Sequence, residues 1–100
     1  MLLLTTRKNR EVTMFVEIYG RLTCPYCIRA KALAEKMKSE LADFDFKFVN
    51  MPEEGITKED LVPRVGKPVE TVPQIFLDNI HVGGCTDFQA LVKEKFGIEL

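Results

Sequence analysis

Two cysteines, Cys24 and Cys27, lie two residues apart in the stretch TCPYC, where an apolar segment gives way to a helical pattern. The pair fits three kinds of site: a redox centre, a structural disulfide or part of a zinc site. Cys24 directly precedes Pro25, a residue suited to the first turn of a helix. Unpaired N–H groups there carry roughly half a positive charge, so Cys24 is the better-placed thiolate. Cys27 falls one turn inside the helix, close enough to attack a mixed disulfide formed on Cys24.

The composition of the chain fits one small domain. It has 100 residues, of which 46% are hydrophobic and 29% charged, enough for one core and too few for a second. Basic residues number 14 and acidic residues 15, without a basic stripe, so we expect no nucleic-acid partner. The sequence contains no membrane-span pattern. The apolar start MLLL is too short for a signal peptide. We therefore expect a reducing cytoplasm, where three cysteines, an odd number, indicate catalysis or metal binding.

The first half of the chain predicts a strand, a helix and a second strand. The run MFVEIYG, from Met14, suits a buried strand. From Pro25 onward the apolar residues follow helical spacing: Ala30, Leu33, Ala34, Met37 and Leu41. Three alternating phenylalanines then indicate a strand over residues 44–49. This order is typical of a βαβ unit with a parallel strand pair. Residues 1–13 lack periodicity, and we interpret them as a flexible extension of a domain spanning residues 14–100.

The second half predicts a short helix, a hairpin and a final helix. Thr57 is a plausible N-cap with Asp60 three residues later, but Pro63 should shorten or kink that helix. Strands at Gln74–Leu77 and Ile80–Val82 flank a tight turn. Thr86 with Gln89 fits a capping box for a helix that stops at Gly97. The complete predicted order is βαβαββα. It indicates an α/β domain of thioredoxin type with a four-stranded mixed sheet flanked by helices.

Three motifs in this order carry a resemblance to a known family. The stretches GRLTCPYCIRAKAL, GKPVETVPQIF and GGCTDF together resemble the bacterial dithiol glutaredoxins of the glutaredoxin 1 type. A C-x-x-C alone is weak, but CPYC followed at these distances by TVP and GGCTD is specific. The resemblance extends from Met14 nearly to the C-terminus and implies a thioredoxin-like fold.

The resemblance also implies an activity: glutathione-dependent reduction of disulfides and removal of glutathione from protein cysteines. Cys24 would attack, and glutathione or Cys27 would resolve the mixed disulfide. Glutathione would be the co-substrate, with no tightly bound cofactor and no metal. The protein partners would be disulfide-containing or glutathionylated proteins, including ribonucleotide reductase, and we expect a monomer. The family's glutathione contacts fall on Arg21, Tyr26, Thr71, Val72, Pro73, Thr86 and Asp87.

Those positions suit a peptide ligand. With the Val72–Pro73 bond cis, as the resemblance implies, Val72 can offer its backbone N–H and C=O to an extended peptide. Gly83 and Gly84 allow close backbone approach. Thr86 and Asp87 open a helix whose N–H groups can hold a carboxylate, and glutathione has two.

Three other functions compete with this one. Zinc could be held by Cys24, Cys27, Cys85 and His81, although we expect His81, the single histidine, to face solvent on the hairpin. An iron–sulfur role is associated in glutaredoxin-like proteins with CGFS, and the proline in CPYC argues against it. A thioredoxin-like reductant would call for CGPC and nearby tryptophan, and this chain has no tryptophan. Cys85 itself remains open as an inert small residue, a glutathionylation site or a link between chains.

Overall fold

The computed structural model describes residues 14–100, so the predicted extension over residues 1–13 lies outside the described residues. The strands are β1 (Met14–Gly20), β2 (Phe44–Asn50), β3 (Gln74–Leu77) and β4 (Ile80–Gly83). The helices are α1 (Pro25–Glu40), α2 (Met51–Glu54), α3 (Val62–Val65) and α4 (Cys85–Phe96), with a 3₁₀ turn at Glu59–Leu61. Within residues 14–100, no helix has the length and apolar character needed to cross a membrane.

The four strands form one mixed sheet in the order β2-β1-β3-β4. β1 pairs with β2 in parallel, whereas β1 with β3 and β3 with β4 are antiparallel. The two central strands supply fully buried side chains, among them Val16, Ile18, Ile75 and Phe76. The predicted mixed α/β sheet flanked by helices is confirmed.

Helices α1 and α4 pack together and contribute the rest of the core. α1 buries Cys27, Ala30, Leu33, Ala34 and Met37, close to the predicted inward face. α4 buries Cys85, Phe88 and Val92. Removing such apolar surface from water stabilises the fold by about 25 cal/mol per Å². Because Cys27 is one of these core residues, the core fixes the position of the second thiol of the C-x-x-C pair.

The connection between β2 and β3 is built from short helical turns. The N-cap of the 3₁₀ turn is Lys58, so the predicted N-cap, Thr57, lies one residue too early. Thr57 and Asp60 still form reciprocal hydrogen bonds: the Asp60 N–H donates to the Thr57 hydroxyl at 3.2 Å, and the Thr57 N–H to Asp60 Oδ2 at 2.8 Å. Pro63 lies near the start of the four-residue α3, which confirms a short helix. The prediction omitted α2, whose four residues are too few to show periodicity.

The start of α4 differs from the prediction. The helix begins at Cys85 and its N-cap is Gly84, so the predicted Thr86–Gln89 capping box is wrong. The Gly84 N–H donates instead to Asp87 Oδ2 at 3.2 Å. An acidic residue at the third helical position satisfies the cap equally well, and Thr86 lies one residue inside the helix. The hairpin turn before it is as predicted, with positive φ at Asp78 (50°) and Asn79 (71°).

Arg64 of α3 attaches the β2–β3 connection to the sheet. Its guanidinium donates to Glu17 Oε1 at 2.8 Å and to the Tyr19 hydroxyl at 2.9 Å. It also lies 3.9 Å above the Phe76 ring. The hydrogen bond from Arg64 lowers the pKa of Glu17, and although burial opposes this, the charges of Arg64 and Lys47 reinforce it. The Glu17 side chain is only 12% exposed, so removing Arg64 would cost more than breaking a surface ion pair, because the Glu17 charge would be left without its partner.

We expect Arg64→Met to lower the free energy of unfolding by about 1–3 kcal/mol at pH 7, because Glu17 keeps its charge but loses its main donor. The Glu17 pKa is lowered on folding, so this stabilisation is present above the unfolded pKa of about 4.3 and is lost as pH falls through the folded pKa.

Urea unfolding at pH 7 and at about pH 3 measures the stability loss in Arg64→Met and its dependence on pH. Lys31→Met, which removes an exposed i,i+4 pair, is the control and should cost under about 0.5 kcal/mol. An equal loss from Arg64→Met at both pH values would contradict the assignment.

Candidate active site

Cys24 is the N-cap of α1. Its backbone is extended, with φ −96° and ψ 119°, and its Sγ accepts a hydrogen bond from the Cys27 N–H at 3.3 Å. The side chain is half-buried, whereas the Cys27 side chain is inaccessible to solvent. The sequence prediction placed Cys24 at or near the N-cap with Cys27 deeper, and the structure has this arrangement. All three cysteines of the chain are free thiols.

The surroundings separate the acidities of the two thiols. Burial acts to raise the pKa of Cys24, but hydrogen bonds from the Cys27 thiol and from the Cys27 and Tyr26 N–H groups outweigh it, and Arg21 adds positive charge. The pKa of Cys24 is therefore lowered. Burial raises the pKa of Cys27 to about 12, and its hydrogen bond to Cys24 and the charge of Cys24 act in the same direction. The pair accordingly offers one thiolate supported by one thiol.

Gly20, the last residue of β1, gives Cys27 its space. A Cβ placed on Gly20 would lie 2.5 Å from Cys27 Sγ and 2.9 Å from Cys27 Cβ. Such distances are well inside van der Waals contact, so any other residue would displace the thiol. The sequence analysis missed this role, although a glycine at the end of a strand is a recognised sign of close approach by another group.

A groove of about 350 Å³ adjoins the thiols. Six of the seven predicted glutathione contacts line it together with Gly84 and Cys85: Tyr26, Thr71, Val72, Pro73, Thr86 and Asp87. The Val72–Pro73 bond is cis. Cys24 Sγ lies 3.9 Å from the Val72 carbonyl oxygen, to which the thiol can donate. The seventh predicted contact, Arg21, lines a neighbouring depression with Met51 and Pro52 instead.

The far wall of the groove is the first turn of α4. The first N–H groups of a helix lack intrahelical partners and favour negative charge. Asp87 in this turn already accepts the Gly84 N–H, which fixes its carboxylate. Gly83 must stay small here: its φ is +125°, and an added Cβ would collide with that carboxylate. Cys85 is only 4% exposed, and burial raises its pKa, although Arg29 opposes this.

His81 lies on the hairpin as predicted, but its predicted exposure to solvent is wrong. The ring is half-buried, and its Nε2 lies 2.6 Å from Gln74 Oε1, whereas solvent exposure had been expected. The ring also packs on Phe76, with centroids 5.3 Å apart. Within residues 14–100, no three His, Cys, Asp or Glu side chains form a group that could hold a metal ion. The zinc set of Cys24, Cys27, His81 and Cys85 is therefore not assembled.

A mixed four-stranded sheet with an acidified and a buried thiol at the start of its first helix defines a thiol–disulfide oxidoreductase of thioredoxin-like fold. Comparisons with known proteins make this more specific. A family model described as Glutaredoxin matches residues 16–82. A glutaredoxin of Haemophilus influenzae is 68% identical over 85 residues, which are 85% of this chain and 98% of that protein. Glutaredoxin 1 of Escherichia coli is 62% identical over 78 residues, 78% of this chain and 92% of that protein.

Solved structures agree with this assignment. A structure of E. coli glutaredoxin is 56% identical, with a TM-score of 0.70. The reduced form of E. coli glutaredoxin is 57% identical, with a TM-score of 0.77. Each comparison covers 84% of this chain and 99% of the other. The chain belongs to the glutaredoxin family and is an enzyme that exchanges thiols and disulfides.

We expect Gly20→Ala to destabilise the fold by about 1–3 kcal/mol, because the added methyl group overpacks Cys27. Thermal or urea unfolding measures the loss. The same substitution in a Cys27→Ala background should cost less, since the Sγ contact is absent there. An equal cost in both backgrounds would show that Cys27 is not the group that requires glycine.

Alkylation of the thiols by iodoacetamide should reflect the difference in pKa between Cys24 and Cys27. We expect Cys24 to react with an apparent pKa below that of an ordinary thiol, and Cys27 to stay unmodified at neutral pH. Cys27→Ala removes a hydrogen-bonding thiol and should raise the apparent pKa of Cys24. Mass spectrometry of the alkylated peptides between about pH 4 and pH 10 gives each rate separately. An unchanged profile in Cys27→Ala would refute the contribution of the Cys27 thiol.

Proposed function

We propose that this protein is a glutathione-dependent oxidoreductase that reduces protein disulfides and removes glutathione from protein cysteines. The observation that carries the proposal is the separation of the thiol pair beside one groove. Cys24 is an acidified, accessible thiolate, Cys27 is a buried thiol behind it, and Val72 lies against Cys24 at the groove wall. Residues 14–100 form the catalytic domain in this proposal, and residues 1–13 are an extension outside it.

Removal of glutathione needs only Cys24. Its thiolate attacks the glutathione sulfur of a mixed disulfide, so that a Cys24–glutathione disulfide forms and the substrate cysteine leaves as a thiolate. A second glutathione thiolate then attacks the glutathione sulfur bound to Cys24. Oxidised glutathione is released, and the Cys24 thiolate is restored. One glutathione thiol is consumed in each cycle, and its sulfur ends in a disulfide with the glutathione that was removed from the substrate.

Reduction of a protein disulfide needs both cysteines. Cys24 attacks one sulfur, forming a mixed disulfide and releasing the other substrate cysteine as a thiolate. Once Cys24 is in this bond, its charge no longer raises the pKa of Cys27. Cys27 then loses its proton more readily and attacks Cys24 Sγ, which frees the second substrate thiol and leaves a Cys24–Cys27 disulfide. Two glutathione molecules reduce that disulfide and regenerate the pair.

Glutathione recognition is assigned to the groove. Val72 offers its backbone to the extended peptide, flanked by Thr71 and Pro73. The first turn of α4, at Thr86, receives a carboxylate, and Asp87 faces the ammonium of the γ-glutamyl end. Tyr26, 57% exposed, forms the wall nearest the thiols. Arg21 acts through its charge near Cys24 and not as a groove-lining contact.

The resemblance supports the remaining parts of the proposal. The protein acts as a monomer in the reducing cytoplasm, where glutathione is held reduced. It needs no tightly bound cofactor, and ribonucleotide reductase is among its disulfide substrates. Glutathione, and not a thioredoxin-type flavoenzyme, is the reductant that returns the pair to the dithiol.

We expect Cys24→Ser to abolish glutathione-dependent reduction of a glutathionylated peptide, because the two thiols that remain, Cys27 and Cys85, are buried and have raised pKa values. Cys27→Ser should keep this activity within about a few-fold, since glutathione alone resolves the intermediate, but should lose most reduction of a protein disulfide. Both activities are followed by NADPH consumption with glutathione reductase as the coupling enzyme.

Cys85→Ser is the matched control for loss of a thiol. The Cys85 sulfur takes part in neither exchange, so both activities should persist with kcat near wild type, and any change should be confined to KM because Cys85 lines the groove. Activity in Cys24→Ser would exclude the mechanism. Turnover by wild type with thioredoxin reductase but not with glutathione would instead support a thioredoxin-like reductant.

A further inference from the structure

Gln74 is the buried polar residue at the first position of β3, directly after Pro73, and it is only 8% exposed. Both ends of its amide are engaged. Nε2 donates to the Thr71 carbonyl at 2.9 Å, and Oε1 lies 2.6 Å from His81 Nε2. A chain of hydrogen bonds therefore runs from β4, through Gln74, to the peptide segment that lines the groove.

The partners fix the direction of every bond in this chain. A carbonyl oxygen only accepts, so the atom of Gln74 facing Thr71 must be Nε2, and Oε1 must face His81. His81 Nε2 must then carry a proton. Burial lowers the pKa of His81, and the nearby charge of Lys67 adds to this while Asp87 opposes it. The neutral ring has one proton, and the hydrogen bond to Gln74 places it on Nε2.

The direction of the Thr71 carbonyl determines that of the next N–H. The Thr71–Val72 peptide is trans, and in a trans peptide the C=O and the following N–H point to opposite sides. Because Thr71 O is turned inward to the buried Gln74, the Val72 N–H is turned away from it, toward the exposed side of the segment. Val72 and Thr71 both line the groove on that side.

We propose that His81 and Gln74 are positioning residues that hold the Val72 N–H toward the groove as a donor to the glutathionyl part of the substrate. This inference rests on the proposed function. Neither residue touches the reacting sulfur atoms. The hydrogen bonds that acidify Cys24 come from Cys27 and Tyr26 on α1, which are separate from this chain. The relay reaches Cys24 only through Val72, whose carbonyl oxygen lies 3.9 Å from Cys24 Sγ, so its main effect is on substrate binding and its effect on the nucleophile is small.

Gln74→Glu is the sharpest test. The substituted side chain has the same shape and still accepts from His81, but its ionised carboxylate cannot donate to the Thr71 carbonyl and repels it. Burial favours the protonated form, so KM is measured at about pH 8, where the carboxylate is favoured. We expect KM for a glutathionylated peptide to rise about five- to tenfold, the equivalent of one hydrogen bond, while kcat stays within about twofold. Gln89→Glu makes the same chemical change in α4 at the chain's other glutamine and should leave KM unchanged.

A second pair of variants tests the other end of the chain. His81→Phe keeps a ring against Phe76 but removes the donor to Gln74, and we expect a KM increase of about two- to fivefold. His81→Gln supplies an amide N–H in place of the ring N–H and should recover part of that loss. Thermal unfolding identifies any variant that fails to fold. If Gln74→Glu does not fold, the KM values of His81→Phe and His81→Gln decide the question.

The rate of Cys24 alkylation by iodoacetamide should stay within about twofold of wild type in every variant, because the relay reaches Cys24 Sγ only through the Val72 carbonyl at 3.9 Å. Wild-type KM in both Gln74→Glu and His81→Phe would overturn the relay, as would a fall in kcat or alkylation rate in place of the KM increase. A wild-type protein that does not turn over with glutathione would overturn the proposed function and the relay with it, so the two failures are distinguishable.

Discussion

The start of α1 is the constraint on which the site depends. The first N–H groups of a helix have no intrahelical partner and must be satisfied from outside the helix. Here the acceptor is the Sγ of Cys24, which receives the Cys27 N–H at 3.3 Å. A neutral thiol is a weak acceptor, whereas a thiolate is a strong one. The interaction that caps the helix is thus the interaction that acidifies Cys24, and a well-formed helix start and a reactive thiolate require each other.

The sheet topology brings the other parts of the site to that helix start. β1 and β3 are antiparallel neighbours in which Tyr19 pairs with Gln74, so the end of β1 lies beside the start of β3. The chain enters α1 from the first of these ends and leaves the Thr71–Pro73 segment at the second. β4 then returns with Gly83 opposite Ile75, which brings the first turn of α4 to the same end of the sheet. Three motifs that are distant in sequence meet because this strand order places all three at one end of the sheet.

Much of this arrangement could be predicted from the sequence, and the exceptions have physical reasons. Apolar periodicity predicted α1, and the position of Pro25 placed Cys24 at its N-terminus. The predicted start of α4 was wrong because two residue pairs, Thr86 with Gln89 and Gly84 with Asp87, are both acceptable caps by sequence. The folded chain uses the second pair. The predicted solvent exposure of His81 was wrong for a related reason. Its partner Gln74 lies across the hairpin, and a bulge near Ile75 and Phe76 shifts the register that side-chain alternation would predict.

The same geometry separates the groups that acidify Cys24 from those that shape the groove wall, where we propose that glutathione binds. The charge on Cys24 is set by N–H and S–H groups of α1, within a few residues of the thiol. The groove wall at Val72 is set by β3 and β4, through a buried amide that α1 does not contact by any hydrogen bond described for residues 14–100. The two sets of hydrogen bonds share one long contact, between Cys24 Sγ and the Val72 carbonyl oxygen at 3.9 Å, so changes at the groove wall should alter the acidity of Cys24 only slightly. Gly20 also lies between these two parts of the site. It ends β1 beside Gln74, and its lack of a side chain leaves the space that Cys27 occupies.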